Sequence, residues 1–423
     1  MPRRIAFDVL AKVLGKSHPL DEAFNSHPHL EKLSPKAKAF ARALCTTTLR
    51  HKGFIDTLID ACMDSRPKGE ARAVLHIMRM GVAQLYFLHV PAHAAVSEAL
   101  KLTGYANMVQ YKNLINAVLR RIDREKKEYP TAHIARKNIP DWLFESWSNA
   151  YGAETALAIA EAHRFEAPLD FTLRFDDEGE LWAKRFEGEV LPTGSVRKKA
   201  GGRIEEMSGF ESGTWWVQDA AAALPVKMLG DVKGKTVLDL CAAPGGKTMQ
   251  LAAAKANVIA VDKSENRLKR VTENLERTKL KAEVVVGDLM TWEPTEQVDA
   301  ILLDAPCTAT GTLRRHPDGL WTKKKEDIRA MADIQGKTLH RASAWLKEGG
   351  LMVYCVCSLQ PEECELMAKS FLKGHPNFEL VKADLPGCEE LISEDGTLRC
   401  LPSHYKEKGG LDGFFAATFR RIS

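Results

Sequence analysis

The chain has 423 residues, 45% of them hydrophobic and 27% charged, with a formal net charge of +4. That length allows two or three domains, and those fractions exclude a mainly disordered or collagen-like chain. Eighteen consecutive apolar residues never occur, the basic start lacks a signal peptide's apolar stretch, and nine scattered cysteines without a CxxC argue against disulfides or the common zinc signature.

Residues 1–140 hold 23 basic and 12 acidic residues, a net of +11, which leaves −7 for the remainder. A basic front of this kind suits a polyanion such as nucleic acid better than it suits a merely solvated surface. Residues 1–128 read as helices. Ile5, Val9, Leu10, Val13 and Leu14 recur at helical spacing, and Ser34-Pro35 opens an Ala-rich helix through Leu49. Phe54, Leu58, Ile59 and Cys62 form a further stripe, as do Val74, Met78, Val82, Leu85 and Tyr86 ahead of Pro91. Another covers Leu114, Ala117, Val118 and Ile122. The charged, proline-punctuated stretch 125–140 reads as a linker, so the first domain is an all-helical 1–140.

A small mixed subdomain is expected over 141–212. It has a helix over 141–163, a strand over Phe171–Phe175, and a basic turn around Gly194, Arg197, Lys198, Lys199, Gly201 and Gly202. From 213 to 423 strands and helices alternate. The apolar runs Thr236–Leu240, Val258–Val261, Glu283–Val286, Ala300–Leu303 and Leu351–Val356 predict a parallel sheet covered by helices, an α/β domain.

The run VLDLCAAPGGKT (237–248) reads as strand, tight turn and helix, the form of a cofactor cradle. A P-loop would need glycine at 241, where the chain has cysteine, and a GxGxxG fingerprint is missing. A Rossmann-like loop for another adenosine-containing ligand remains. Asp262, Asp288 and Asp304 each end an apolar run, at the sheet edge where ligands bind, and Asp239 lies within the first strand. One such aspartate is as often a cap as a ligand; four in register carry more weight. Cys307 (in DAPC) and Cys357 (in YCVCS) follow strands at the same edge. Cys355, read as facing the other side of its strand from Cys357, is assigned to packing. Arg314, Arg315 and His316 suit a phosphate clamp or a solvated loop equally well, and Trp215 and Trp216 suit core packing better than base stacking.

DLCAAPGGKT, DAPC followed by GTLRRHPD, and CS followed by PEE resemble the RNA (cytosine-5) methyltransferases that use S-adenosylmethionine. The helical front, VPAHAAVSEAL (90–100), LINAVLRR (114–121) and the closing LDGFFAATFRR (411–421) are similar to the bacterial small-subunit rRNA subgroup with a NusB-like N-terminal domain. The resemblance spans nearly the whole chain. It implies a Rossmann-like methyltransferase domain, a NusB-like RNA-binding domain, and S-adenosylmethionine as cofactor. It also implies small-subunit rRNA as substrate and work in the cytoplasm; no metal or membrane partner is expected, and the oligomeric state is left open, with a monomer favoured.

Carried over by residue, Cys241, Ala242, Ala243, Pro244, Gly245, Gly246 and Lys247 surround the methionine portion. Asp262 holds the ribose, Asp288 lies near the adenine, and Asp304 sits between cofactor and base. Cys357 is the nucleophile and Cys307 assists product release. The chain departs from the pattern at Val356 (usually Thr), Thr308-Ala309 (usually Ser-Gly) and Cys364 (usually Asn), without losing a proposed catalytic group. Judged on residues alone, either Cys307 or Cys357 suits attack, since DNA cytosine methyltransferases use the Pro-Cys position. A DNA methyltransferase and a non-catalytic RNA-binding assembly factor are the rival readings. The NusB-like front weighs against the first, and the intact loop and cysteines against the second.

Overall fold

The computed structural model describes residues 1–198 and 202–423, so Lys199 and Gly201 of the expected basic turn lie outside the described residues. The chain forms two compact units, 1–166 with 313–324, and 167–312 with 325–423.

The first unit is helical: α1 (Pro2–Lys16), α2 (Leu20–Asn25), α3 (Pro35–Arg50), α4 (Lys52–Asp60), α5 (Ala73–Tyr86), α6 (Ala92–Tyr105), α7 (Lys112–Glu125), α8 (Thr131–Lys137), α9 (Asp141–Tyr151) and α10 (Ala153–Ala162). Ser34 caps α3, its Oγ accepting from the Ala37 amide at 3.4 Å, with Pro35 at the first helical position. α5 is buried from Val74 to Leu85 and packs on α1, α3, α4, α6 and α7, which makes it the central helix. Gly81 permits the α7 contact, because a Cβ there would fall 2.7 Å from Leu119 Cδ1. α10 packs on both α8 and α9, so the expected boundary at 140 falls inside this unit and the 141–163 helices belong to it.

A segment distant in sequence completes this unit. In 313–324 the Trp321 indole donates to the Leu49 carbonyl at 2.7 Å, and Asp318 accepts from the Leu20 amide at 3.0 Å. Trp321 also packs against the unit's apolar core. Arg314 is buried here, and His316 lies 3.6 Å from the Asp21 carboxylate. The Arg314 side chain is therefore not an open phosphate clamp.

The second unit holds two sheets. The smaller has the order β2-β3-β1-β4, from β1 (Leu169–Leu173), β2 (Glu189–Val190), β3 (Val196–Lys198) and β4 (Trp215–Val217), all pairs antiparallel. β4 lies beyond the expected boundary at 212. Trp215 is buried edge-on against Phe171, with ring centroids 4.8 Å apart, and Trp216 is buried too, so both indoles pack as expected. Arg197 makes a buried bidentate pair with Asp170, which also accepts from the Ala220 amide.

The larger sheet contains β5 (Thr236–Leu240), β6 (Asn257–Asp262), β7 (Glu283–Val286), β8 (Val298–Asp304), β9 (Leu346–Val356), β10 (Phe378–Val381), β11 (Leu398–Cys400) and β12 (Phe414–Arg421). Its order is β10-β12-β9-β8-β5-β6-β7, with β11 beside β12. The five predicted apolar runs form its parallel part, β9-β8-β5-β6-β7. The sheet as a whole is mixed rather than parallel, because β12 pairs antiparallel with β9, β10 and β11. Phe414 to Phe419 are all buried, as an interior strand covered on both faces requires.

Along β9, Val353 and Cys355 enter the apolar cluster of one face, and Met352, Tyr354 and Val356 that of the other. Cys357 packs against the same cluster as Cys355. The expectation of opposite faces fails, because residues two apart on a strand share a face.

Candidate active site

The parallel register brings the site together. β8 lies between β5 and β9, with Asp304 opposite Cys355 and Leu303 opposite Leu240. Three loops therefore leave neighbouring carboxyl ends: 241–245 after β5, 305–309 after β8, and 357–360 after β9. Such an edge is where open α/β sheets bind ligands.

The first loop turns sharply. Cys241 has φ 62° and Gly245 φ 102°, and the Ala243–Pro244 peptide is cis. Helix Gly246–Ala253 begins at once. Asp262, at the end of β6, accepts from the Ala243 amide at 3.3 Å and the Ser264 amide at 2.9 Å. Arg267 donates to the Ala243 carbonyl at 2.6 Å and lies 3.3 Å from Asp262. Asp262 thus staples the turn. Asp288 follows β7, is exposed, and accepts from the Met290 amide at 2.9 Å. The Gly287 amide donates to the Asp262 carbonyl at 3.1 Å, which keeps these two strand ends adjacent.

Asp239 is fully buried, and Thr248 Oγ1 donates to its Oδ2 at 2.5 Å. Its Oδ1 has no hydrogen-bond partner among the described residues. Burial dominates and pushes this carboxyl up to about 7, against the opposing Thr248 bond and Lys247 charge. The Lys247 ammonium, buried at the head of its helix, donates to Asp304 Oδ2 at 2.8 Å. Burial opposes its charge, but Asp304, Cys355 and Asp239 outweigh that and raise its pKa. A cavity of about 360 Å³ is lined by Asp239, Ala242, Ala243, Pro244, Gly246, Lys247 and Asp304, together with Trp216 and Gln218. Asp262, Asp288, Cys307 and Cys357 do not line it.

Cys307 Sγ lies 3.5 Å from Cys357 Sγ. Bonding to the Cys357 sulfur and burial hold the Cys307 thiol well above its usual range. The Cys355 thiol donates to Asp304 Oδ1 at 3.8 Å, and its burial likewise raises its pKa. All nine cysteines are free thiols.

Sequence reasoning missed the group that locks the two cysteine loops together. Glu363 is fully buried. It accepts from the Thr308 amide at 2.8 Å, the Thr308 hydroxyl, the Ser358 hydroxyl at 2.6 Å and the Gln335 amide at 3.0 Å. The PEE run contained this residue, but no local pattern marks a glutamate as buried.

Residues 226–420 match the family model described as 16S rRNA methyltransferase RsmB/F, and residues 1–124 match the NusB family. Ribosomal RNA small subunit methyltransferase B of Cronobacter sakazakii is 36% identical over 394 residues, covering 89% of this chain and 91% of that one. The Vibrio vulnificus protein of the same name is 35% identical over 412 residues, covering 93% and 96%. Among solved structures, PH0851 superposes with a TM-score of 0.78 at 24% identity, over 100% of this chain and 99% of that one. A methyltransferase homolog from Pyrococcus horikoshii gives 0.56 at 27%, over 66% of this chain and 93% of that one. The chain therefore belongs to the 16S rRNA methyltransferase RsmB/F family, with a NusB-type helical module in front of a Rossmann-like domain, and is an rRNA methyltransferase.

Proposed function

We propose that this enzyme methylates carbon 5 of a cytosine in small-subunit rRNA through a covalent cysteine adduct, with S-adenosylmethionine as methyl donor. The observation that carries this reading is the pair of thiols, Cys307 and Cys357, whose sulfurs lie 3.5 Å apart. S-adenosylmethionine supplies an electrophilic methyl group when bound. The chain suits it: Asp239 offers a buried oxygen without a partner among the described residues, fit for the methionine ammonium. Cys241 to Lys247 would wrap the methionine portion. Asp262 would take the ribose hydroxyls, and Asp288 the adenine side.

Cytosine carbon 5 is a weak nucleophile. The Cys357 thiolate would add to carbon 6, and the electron pair so placed at carbon 5 would take up the methyl group as its bond to the cofactor sulfonium breaks, leaving S-adenosylhomocysteine. A base takes the carbon 5 proton, the C–S bond breaks, and Cys357 leaves as thiolate. Cys307, beside that sulfur, assists the release. Asp304 accepts from the cytosine amino group, and Lys247 offsets negative charge that develops on the ring. The target base must be unpaired or flipped out to reach the thiol. An rRNA substrate points to the cytoplasm.

The test is transfer of labelled methyl to small-subunit rRNA, with mapping of 5-methylcytosine. Cys357→Ser should abolish both label and covalent RNA adduct, whereas Cys307→Ser should still form the adduct. An adduct with Cys357→Ser but not with Cys307→Ser would reverse the assignment. Absence of label from S-adenosylmethionine in every RNA form would overturn the activity.

A further inference from the structure

The helical unit contains a second cavity, about 580 Å³. Lys52, Arg66, Lys68, Arg72 and Arg79 line it, together with Trp321. Asp56, in the middle of α4, receives three of these cations: Arg79 at 2.6 Å, Lys52 at 3.2 Å and Arg66 at 3.6 Å. Arg66 is also held by both oxygens of Asp60. Five cations therefore face two carboxylates, which fix three of them, Lys52, Arg66 and Arg79, in place. Lys68 and Arg72 are exposed and form no ion pair among the described residues, although Glu70 lies between them in sequence. Lys52 Nζ sits 4.0 Å from the centroid of the Trp321 ring. His76 in the wall is buried against Arg79, and burial holds its pKa down to about 4, so it adds no charge that would need a counter-ion at neutral pH.

We infer that this cavity binds the phosphodiester backbone of the rRNA substrate, phosphates against Lys68, Arg72 and the Asp56-anchored cations, with a nucleotide laid along Trp321. Surplus positive charge around a cavity recruits an anion, and the indole and the apolar wall of Leu14 and Leu75 suit the sugar and base. Trp321 comes from the 313–324 segment, which begins six residues after Cys307. The inference rests on rRNA being the substrate, and adds where the helical unit grips it.

The experiment uses the full chain. Lys68→Glu with Arg72→Glu is compared with Lys126→Glu with Lys127→Glu, which makes the same charge change elsewhere on the unit. Filter binding to small-subunit rRNA across a salt series gives Kd and its salt slope, and methyl transfer gives KM and kcat. The cavity variant should raise Kd and KM at least about tenfold and reduce the salt slope by about 1 to 2, as expected for one or two lost phosphate contacts. Its kcat at saturating rRNA and its affinity for S-adenosylmethionine should match wild type. Kd and KM within twofold of wild type, or an equal loss in the control pair, would overturn the site. So would unchanged rRNA binding with lost binding of a free mononucleotide, which would mark a small-molecule site. If wild type itself neither binds nor methylates rRNA, the substrate reading fails instead.

Discussion

Asp239 and Glu363 are both carboxylates sealed from water, and they meet burial differently. Glu363 receives donors from Thr308, Ser358 and Gln335, so both of its oxygens find partners within the protein. Asp239 receives Thr248 alone, and burial pushes it up to about 7. The folded protein therefore keeps a proton that the unfolded chain gives up above about pH 4, and Asp239 costs stability as pH rises from about 4 to 7. A cationic ligand beside Oδ1 must displace that proton. Calorimetry should show S-adenosylmethionine affinity rising from pH 5.5 to 7, by up to about tenfold per unit. Asp239→Asn should bind more weakly and lose this rise, and a flat wild-type profile would refute the role. Glu363→Gln replaces an acceptor oxygen with a donor facing hydroxyls and an amide. Loosening the two cysteine loops should lower single-turnover methylation about 10- to 100-fold, equivalent to roughly 1–3 kcal/mol. Affinity for S-adenosylmethionine should stay the same, which separates positioning from cofactor binding.

At the scale of elements, the β8–β9 pairing does what no motif does alone. Cys307 and Cys357 are fifty positions apart, yet their loops leave adjacent parallel strands with Asp304 opposite Cys355. The five core strands were legible because apolar runs between helical segments demand a covered parallel sheet. β12 was quoted only as part of a family pattern, and its antiparallel place next to β9 was not legible: pairing direction depends on where the chain returns, which local periodicity does not encode. β12 also steadies the site. The Gly311 amide donates to the Cys357 carbonyl at 3.0 Å, and the Gly413 amide to the Gly311 carbonyl at 2.9 Å. A Cβ at Gly311 would fall 1.9 Å from the Gly413 carbonyl oxygen, a clash against backbone. Gly311→Ala should therefore displace the Cys307 loop, costing about 1–3 kcal/mol of stability in denaturant melts. It should also lower kcat more than ten-fold, and a variant with wild-type kcat would show that the loop tolerates the shift.

Across the whole molecule, the uneven division of charge and of buried histidines gives the helical unit its own pH response. Burial holds His51 and His163 down to about 3, and His76 to about 4. Their folded values lie below the unfolded value, so the stability they permit at pH 7 is lost as pH falls through about 6.5 toward the folded values. Three such groups give a slope approaching about 4 kcal/mol per pH unit near pH 5. Protection factors of the α3–α5 amides, which divide out the intrinsic slowing of exchange toward acid, should fall steeply from pH 7 to pH 5. His51→Gln should weaken that dependence by about a third. Exchange that only follows the intrinsic rate would show that these rings gain protons without unfolding.

The sequence by itself determined the class of each half, the strand ends and the sharp turn after β5, because periodicity, glycine turns and strand-terminal polar residues are local properties. The tertiary structure alone decided that 313–324 belongs to the helical unit, that the cysteine sulfurs come within 3.5 Å, and that Glu363 binds their loops. Those outcomes depend on register and burial. Both are set by which distant surfaces exclude water together, a property no stretch of sequence carries alone.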